Sequence, residues 1–408
     1  MTKLDKLIQE LCPDGVQFLR IPELFTTRNG YTPSKANSEF WENGTIPWFR
    51  MEDIRANGRI LTEATQCVSK KAVKGRVFPE NSIIVATSAT IGEHALIKVP
   101  SLANQRFTYL VLKDEFKSSV DMMFIFYYCF KLDEYCKTHL NQGNFASVDM
   151  KQFAEFHFPV PPLPVQREIV RILDNFTELT AELTAELTAR KQQYAYYRDK
   201  LLDRPHDSTR IVTIGELGSW SGGKTPSMDN SDYWENGTTP WITSKDMKVS
   251  TLEDTENHIT EKAISEASMT VYPPNGVAVV TRSGILKHTL PVAFVPFATT
   301  VNQDIKMLVA GEGVLPRYAF HAIQGKSPDI LAKAKKQGGT VDSLEFKKFL
   351  DYEIPLPSLE VQKRLVEVLD NFDAICTDLS SGLPAEIEAR QKQYEYYRDK
   401  LLSFEEKI

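Results

Sequence analysis

The stretch RKQQYAYYRDKLL, residues 190–202, recurs almost unchanged as RQKQYEYYRDKLL, residues 390–402. The displacement is 200 residues (390 − 190) in a chain of 408, so each half closes with the same charged, Tyr-rich segment. That is the mark of a tandem duplication. Ahead of the first copy, Ile169, Ile172, Phe176, Leu179, Leu183, Leu187, Arg190, Tyr194, Tyr197 and Leu201 follow one another in steps of three and four. Ahead of the second, so do Leu365, Val368, Phe372, Ile375, Leu379, Leu383, Ile387, Arg390, Tyr394, Tyr397 and Leu401. This period predicts two long helices, each with the seam of a coiled coil. In the first, TAEL occurs twice in succession over residues 180–187, a stutter that unwinds a supercoil slightly. In the second, Gly382 and Pro384 predict a kink or short break. Phe176 to Arg190 is 14 steps and Phe372 to Arg390 is 18, so the second rod is longer by one four-residue unit. If helical throughout, that unit adds about 6 Å.

The duplication reaches into the segments between the rods. TPSKANSEFWENGTIPW (residues 32–48) matches TPSMDNSDYWENGTTPW (residues 225–241), and VQREIVRILDNF (residues 165–176) matches VQKRLVEVLDNF (residues 361–372). Prolines 159, 161, 162 and 164 close the first block, and prolines 355 and 357 close the second, as stiff exits. SIIVA (residues 82–86) and FTYLVL (residues 107–112) predict buried strands, and residues 119–140 a helix with an aromatic face. Residues 1–15 predict a short helix stopped at Pro13, Asp14 and Gly15. The fold class is therefore α+β: two globular mixed α/β blocks joined by two long helices. The boundaries fall at 1–158 and 205–353 for the blocks, and at 159–204 and 354–408 for the helical spacers.

With 42% hydrophobic and 25% charged residues, both blocks can bury a core. A net charge of −6 gives no overall basic field, so a nucleic-acid partner needs a local basic face. Five scattered cysteines without metal spacing suit a reducing cytosol, and no segment is apolar enough to span a bilayer, which predicts a cytoplasmic protein without membrane contact. Seven histidines show no ligand spacing, so no metal site is expected.

The order of elements resembles the specificity subunit of type I restriction–modification enzymes, in the subgroup that carries TAEL repeats. The order is variable block, Pro-rich exit, LDNF helix, QYxYYRDKLL, then all again, and the resemblance covers essentially the whole chain. It implies that the blocks are target recognition domains, each reading one half of a split, asymmetric sequence in double-stranded DNA. It implies that the helices form an antiparallel, pseudo-two-fold coiled coil that docks two adenine methyltransferase subunits, and through them the restriction subunits. On this reading the chain is not a catalyst and holds no cofactor. S-adenosylmethionine, ATP and magnesium belong to the partner subunits.

Base readers should be long, polar side chains on loops that differ between the blocks, because Arg forks onto guanine and Gln or Asn onto adenine. The candidates are Lys35, Arg50, Ser88, Thr90, Gln105 and Arg106 in the first block. In the second they are Lys224, Lys245, Arg282, Ser283 and Gln303, with Lys335 and Lys336 as phosphate contacts beside a Gly pair. Gln105 and Gln303 recur in both blocks, whereas their neighbours Arg106 and Asp304 differ and are better placed to discriminate. For each of these, a solvated surface role is the competing reading. The Trp residues of the two WENG turns, Trp41, Trp48, Trp234 and Trp241, fit core packing better than base stacking. Both Asn and Gly of each turn tolerate positive φ. Tyr196 and Arg198, with Tyr396 and Arg398, are expected to face outward as anchors for the partner subunits.

Two alternatives stand beside this reading. One is a coiled-coil scaffold whose two lobes bind other proteins. The other is an NTPase, because GSWSGGKT (residues 218–225) satisfies the P-loop pattern. Pro226 follows that motif at once, where a P-loop requires a helix.

Overall fold

The computed structural model describes residues 2–141, 146–203, 209–336, 341–377 and 382–407. The chain folds as two compact units, one of residues 1–182 with 388–408, the other of residues 183–387. Seam residue Leu379, the Gly pair beside Lys336 and most of the linker after Asp203 lie outside the described residues.

The first unit opens with α1 (Lys3–Leu11), which Thr2 caps: Asp5 N donates to Thr2 Oγ1 and Thr2 N to Asp5 Oδ2. There follow β1 (Phe18–Arg20), α2 (Ile21–Leu24), β2 (Phe25–Asn29), β3 (Ile46–Phe49), α3 (Met51–Asn57), β4 (Ile60–Leu61), β5 (Cys67–Val68), β6 (Ser82–Ala86), β7 (His94–Ile97), β8 (Leu102–Ala103) and β9 (Phe107–Leu112). Then come α4 (Met122–Thr138), α5 (Met150–Ala154), β10 (His157–Pro159) and the spacer helix α6 (Leu163–Asp203), whose residues from 183 on belong to the second unit. A five-stranded sheet, in the order β2-β9-β6-β7-β4, is the scaffold. Every residue of β6 is buried. Ile83 and Val85 face the core under α4, while Ile84 and Ala86 face a second core built with β3 and β8. A strand covered on both faces has no polar alternation, which is why SIIVA is uninterrupted.

The second unit repeats this plan. Its strands are β11 (Arg210–Thr213), β12 (Gly218–Gly222), β13 (Thr239–Ile242), β14 (Asn257–Ile259), then β15 (Gly276–Val280), β16 (Val292–Val295), β17 (Thr300–Val301), β18 (Ile305–Ala310) and, late in the unit, β19 (Glu353–Leu356). Its helices are α7 (Glu261–Glu266), α8 (Pro316–Ala334), α9 (Phe346–Leu350) and the spacer helix α10 (Leu359–Thr377); α11 (Leu383–Leu401) follows and belongs from residue 388 on to the first unit. The sheet order β12-β18-β15-β16 matches β2-β9-β6-β7, and a parallel bridge of Thr251 to Phe294 stands where β4 pairs β7. In both units a three-stranded sheet holds one parallel pair, β3 with β8 and β13 with β17.

The prolines do not end the blocks as sharply as their ring suggests. Pro159 closes β10 and Pro355 lies inside β19, paired with Phe18 and Ile211 in two-stranded ribbons. A ribbon has two open edges, so the missing N–H costs no ladder bond. The helix α6 is continuous through both TAEL units. At the second rod, Pro384 falls in the first turn of α11, where proline costs no hydrogen bond.

The seam differs from the sequence reading. In α10 the buried positions are Gln362, Leu365, Leu369, Asp373 and Cys376, whereas Val368 and Ile375 are exposed. The face that packs on α8 dictates burial, and it is offset from the 3-4 seam. The shared-helix contact persists beside it. Tyr197 of α6 stacks on Phe372, and the charges of Arg190 and Lys191 act on Cys376, so α6 and α10 run antiparallel there. In the first unit Phe176 stacks on Tyr397.

Candidate nucleic-acid interface

One end of each main sheet gathers the candidate residues. In the first unit β2 ends at Asn29, β6 ends at Ala86 and β9 begins at Phe107, and these ends pair side by side: Asn29 with Thr108, Ala86 with Phe107. Thr108 Oγ1 donates to Asn29 Oδ1 and shares a hydrogen bond with Thr87 Oγ1, tying the three ends together. Gly30, Thr87 and Arg106 are the next residues outward, and Ser88 follows Thr87. The backbone of Gly30 presses on the end of β8, where an added Cβ would collide with the Ala103 and Asn104 carbonyl oxygens. Its counterpart Gly223 meets Val301 in the same way. In GSWSGGKT, Gly218 opens a strand, β12, against the Val309 backbone, Gly223 follows its end, and no α-helix comes next. The motif lacks the architecture of a P-loop.

The WENG turns hold the adjoining loops. Asn43 and Asn236 have φ of 54° and 59°. The glycines beside them do not share that conformation; an added Cβ on Gly44 would sit 2.6 Å from Cys67, and on Gly237 2.5 Å from His258. Trp41 meets Trp48 edge-on at 5.0 Å, and Trp234 meets Trp241 at 4.9 Å. The four indole N–H groups donate to the carbonyls of Ser34, Tyr31, Ser227 and Lys224. Trp48 and Trp241 are buried, so the tryptophans fasten the loops that carry Lys35 and Lys224.

Around this frame the candidates divide. Lys35, Lys224 and Lys245 are exposed, and no acceptor for their ammonium groups stands among the described residues. Gln105 and Gln303 occupy the β8–β9 and β17–β18 turns, where Thr32 and Thr225 donate to their amide oxygens. Each amide NH2 has no acceptor among the described residues. Arg106 is exposed beside Gln105, and its side chain has no partner among the described residues. Arg50 caps α3 through its backbone, which donates to Asp53 Oδ2 at 2.7 Å, and its guanidinium lies 5.7 Å over the Trp48 ring. Ser88 bridges to Ser147, and Thr90 Oγ1 is buried without a hydrogen-bond partner among the described residues. In the second unit Ser283 caps a short turn by accepting from Ile285 N. Arg282 Nε donates to Asp304 Oδ1 at 2.7 Å. Lys335 is engaged, donating to the Leu286 carbonyl and lying 3.2 Å from Asp342, whereas Lys336 is exposed.

On the spacer helices Tyr196 and Tyr396 are 61% and 62% exposed. Arg198 and Arg398 are turned inward, with side chains only 15% and 17% exposed, against the outward placement expected for them. Arg398 lies 4.6 Å over the Phe130 ring of α4, and Arg198 packs beside Gly325 of α8. Each also pairs with the adjacent aspartate, Asp199 or Asp399. Their helix position faces the globular unit, so packing claims them.

Sequence reasoning missed a clamp built twice. Gln166 is fully buried: its Oε1 accepts from Asp121 N, and its Nε2 donates to the Ser119 and Pro161 carbonyls. Gln362 does the same with Leu315 N, Gly313 O and Pro357 O. Each ties a spacer helix to the start of α4 or α8. About two turns further along each spacer helix, Tyr127 donates to Asp174, and His321 bonds Asp370, which also receives Arg317. Burial pushes the His321 imidazole below its usual pKa, opposed by Asp370. The recurrence of VQ and LDNF in the two halves was the available signal. Among the described residues no group of three or more His, Cys, Asp or Glu could hold a metal ion, and no helix is long and apolar enough to cross a membrane.

The chain matches the family Type I restriction modification DNA specificity domain over residues 13–190 and 207–389, and it belongs to that family. It is 49% identical over 246 residues to the Escherichia coli type I restriction enzyme EcoR124I/EcoR124II specificity subunit, covering 60% of this chain and 61% of that one. It is 39% identical to the Escherichia coli EcoprrI specificity subunit, covering 93% of this chain and 92% of the other. A chain from a solved structure on complex assembly and conformational transition of the type I R-M system superposes with a TM-score of 0.67, at 17% identity, over 96% of this chain and 98% of that one. At that identity the likeness is one of fold.

Proposed function

We propose that the chain is the non-catalytic DNA-reading subunit of a type I restriction–modification complex. Residues 1–158 and 205–353 act as two target recognition domains, each reading one half of a split target in double-stranded DNA. The spacers, residues 159–204 and 354–408, dock two adenine methyltransferase subunits, with Tyr196 and Tyr396 as exposed anchors, and restriction subunits join through them. S-adenosylmethionine, ATP and magnesium act in those partners.

One observation carries this reading. In each unit the loops around a single sheet end present long polar side chains that the protein leaves open: Gln105 and Arg106 in one, Gln303 and Lys245 in the other. Such groups can exchange water for base edges and phosphates without breaking the fold. The frame beneath them, with its Thr-to-Gln bond, is the same in both units, while Arg106 in one stands where Asp304 stands in the other, as two readers of unlike half-sites require.

Adenine methylome sequencing of cells that express the chain with its methyltransferase tests this. The expected motif has two short halves and a fixed gap. Exchange of residues 205–353 for another block changes one half alone. A change in both halves, or methylation without a motif, refutes the assignment.

A further inference from the structure

The exposed Arg282 of the second unit is held in a way that no other candidate arginine shares. Its Nε donates to Asp304 Oδ1 at 2.7 Å. Asp304 is in turn fixed by its backbone. Its N–H donates to Asn302 Oδ1 at 3.0 Å, and its carbonyl accepts from Thr281 N at 2.8 Å and Thr281 Oγ1 at 3.0 Å. The Arg282 side chain stays 57% exposed, against 22% for Asp304. The carboxylate thus sits behind the guanidinium and occupies its Nε edge. The two terminal nitrogens keep their N–H donors, with no protein acceptor among the described residues.

We propose that Asp304 is a positioning residue that fixes Arg282 as a guanine reader in the half-site of the second unit. This rests on the DNA-reading function proposed above. Guanine offers O6 and N7 as neighbouring acceptors in the major groove, spaced for the terminal fork of an arginine. Adenine places an amino donor where O6 would be, so a fork locked in place rejects it. An unheld arginine must give up rotamer freedom on contact and can turn to a phosphate instead. The first unit lacks this device. There Ser88 stands in the position of Arg282 and Arg106 in that of Asp304, since the Arg106 carbonyl accepts from Thr87 N as the Asp304 carbonyl does from Thr281 N. Its cation, Arg106, comes from the opposite side of the turn and has no carboxylate partner among the described residues.

As a surface ion pair, the couple contributes little to stability, so its loss should leave unfolding unchanged. The test uses the full chain expressed with its methyltransferase partner, read by adenine methylome sequencing and thermal melting. The wild-type motif should hold a guanine in one half. Arg282→Ala and Arg282→Lys should make that position degenerate and leave every other position intact, because lysine keeps the charge but cannot fork. Asp304→Ala should weaken discrimination at the same position by roughly tenfold with an unchanged melt, and Asp304→Glu should recover part of it. The proposal is overturned if Asp304→Ala leaves discrimination intact, if the position affected is not guanine, or if both halves weaken together. A wild-type chain that directs no motif at all would instead remove the DNA-reading function on which it rests.

Discussion

Replacing Gln166 by alanine removes three hydrogen bonds at once, because the side chain is fully buried and bonds Asp121 N, Ser119 O and Pro161 O at 2.8, 2.8 and 2.6 Å. Alanine fills none of the space, and three backbone groups lose their partner. Each buried group left unsatisfied costs about 1–3 kcal/mol. Water entering the vacated space offsets part of that, so the net loss should be about 3–5 kcal/mol. For a unit of roughly 200 residues this lowers the melting temperature by on the order of 10 °C. Gln362→Ala should cost the second unit a similar amount, since its three bonds measure 2.8, 2.9 and 2.8 Å. Gln166→Glu separates the parts of the effect. It keeps the acceptor for Asp121 N but turns a carboxylate toward two carbonyls, so at neutral pH it should cost at least as much as alanine. Hydrogen exchange read by mass spectrometry follows each unit separately. Gln166→Ala should speed exchange at the start of α4 and leave α8 unchanged; Gln362→Ala should do the reverse. A loss below about 1 kcal/mol for both alanine variants, or equal exchange changes in both units from either one, would refute the clamp.

Inserting a third TAEL unit after residue 187 lengthens α6 by about 6 Å, and the gap between the methylated half-sites should grow by one or two base pairs with the half-sites themselves unchanged. Tyr196→Ala combined with Tyr396→Ala should leave the melting of the chain within about 0.5 kcal/mol while weakening methyltransferase assembly, read by analytical ultracentrifugation, at least tenfold. Burial lowers the pKa of both His94 and His321 in the folded chain. The unfolded state therefore takes up protons first as pH falls below about 6.5, so stability is complete above that value and declines below it. His321→Gln should flatten this dependence for the second unit between pH 7.5 and 5.5, as measured by denaturant midpoints; an unchanged slope would exclude His321 as its source.

The sequence by itself determined the architecture. Two near-identical copies of QYxYYRDKLL, with VQ and LDNF repeated ahead of them, require a duplicated fold, since each repeated side chain meets the same environment twice. Buried strands were legible because SIIVA and FTYLVL have no polar alternation, and the end of α1 because a Pro-Asp-Gly stop follows it; its Thr2 cap emerged only in the structure. What only the tertiary structure decided is which member of a repeated set faces where. Arg198 and Arg398 read as outward anchors, yet α8 and α4 turn them inward. Val368 and Ile375 fit a 3-4 seam, yet α10 buries the face that meets α8. Arg282 and Asp304 are 22 residues apart and become a pair only where β15 ends beside the turn into β18. A local pattern records which residues share one helix face or one strand face. It carries no record of which neighbour claims that face, because that choice rests on contacts between segments far apart in the chain.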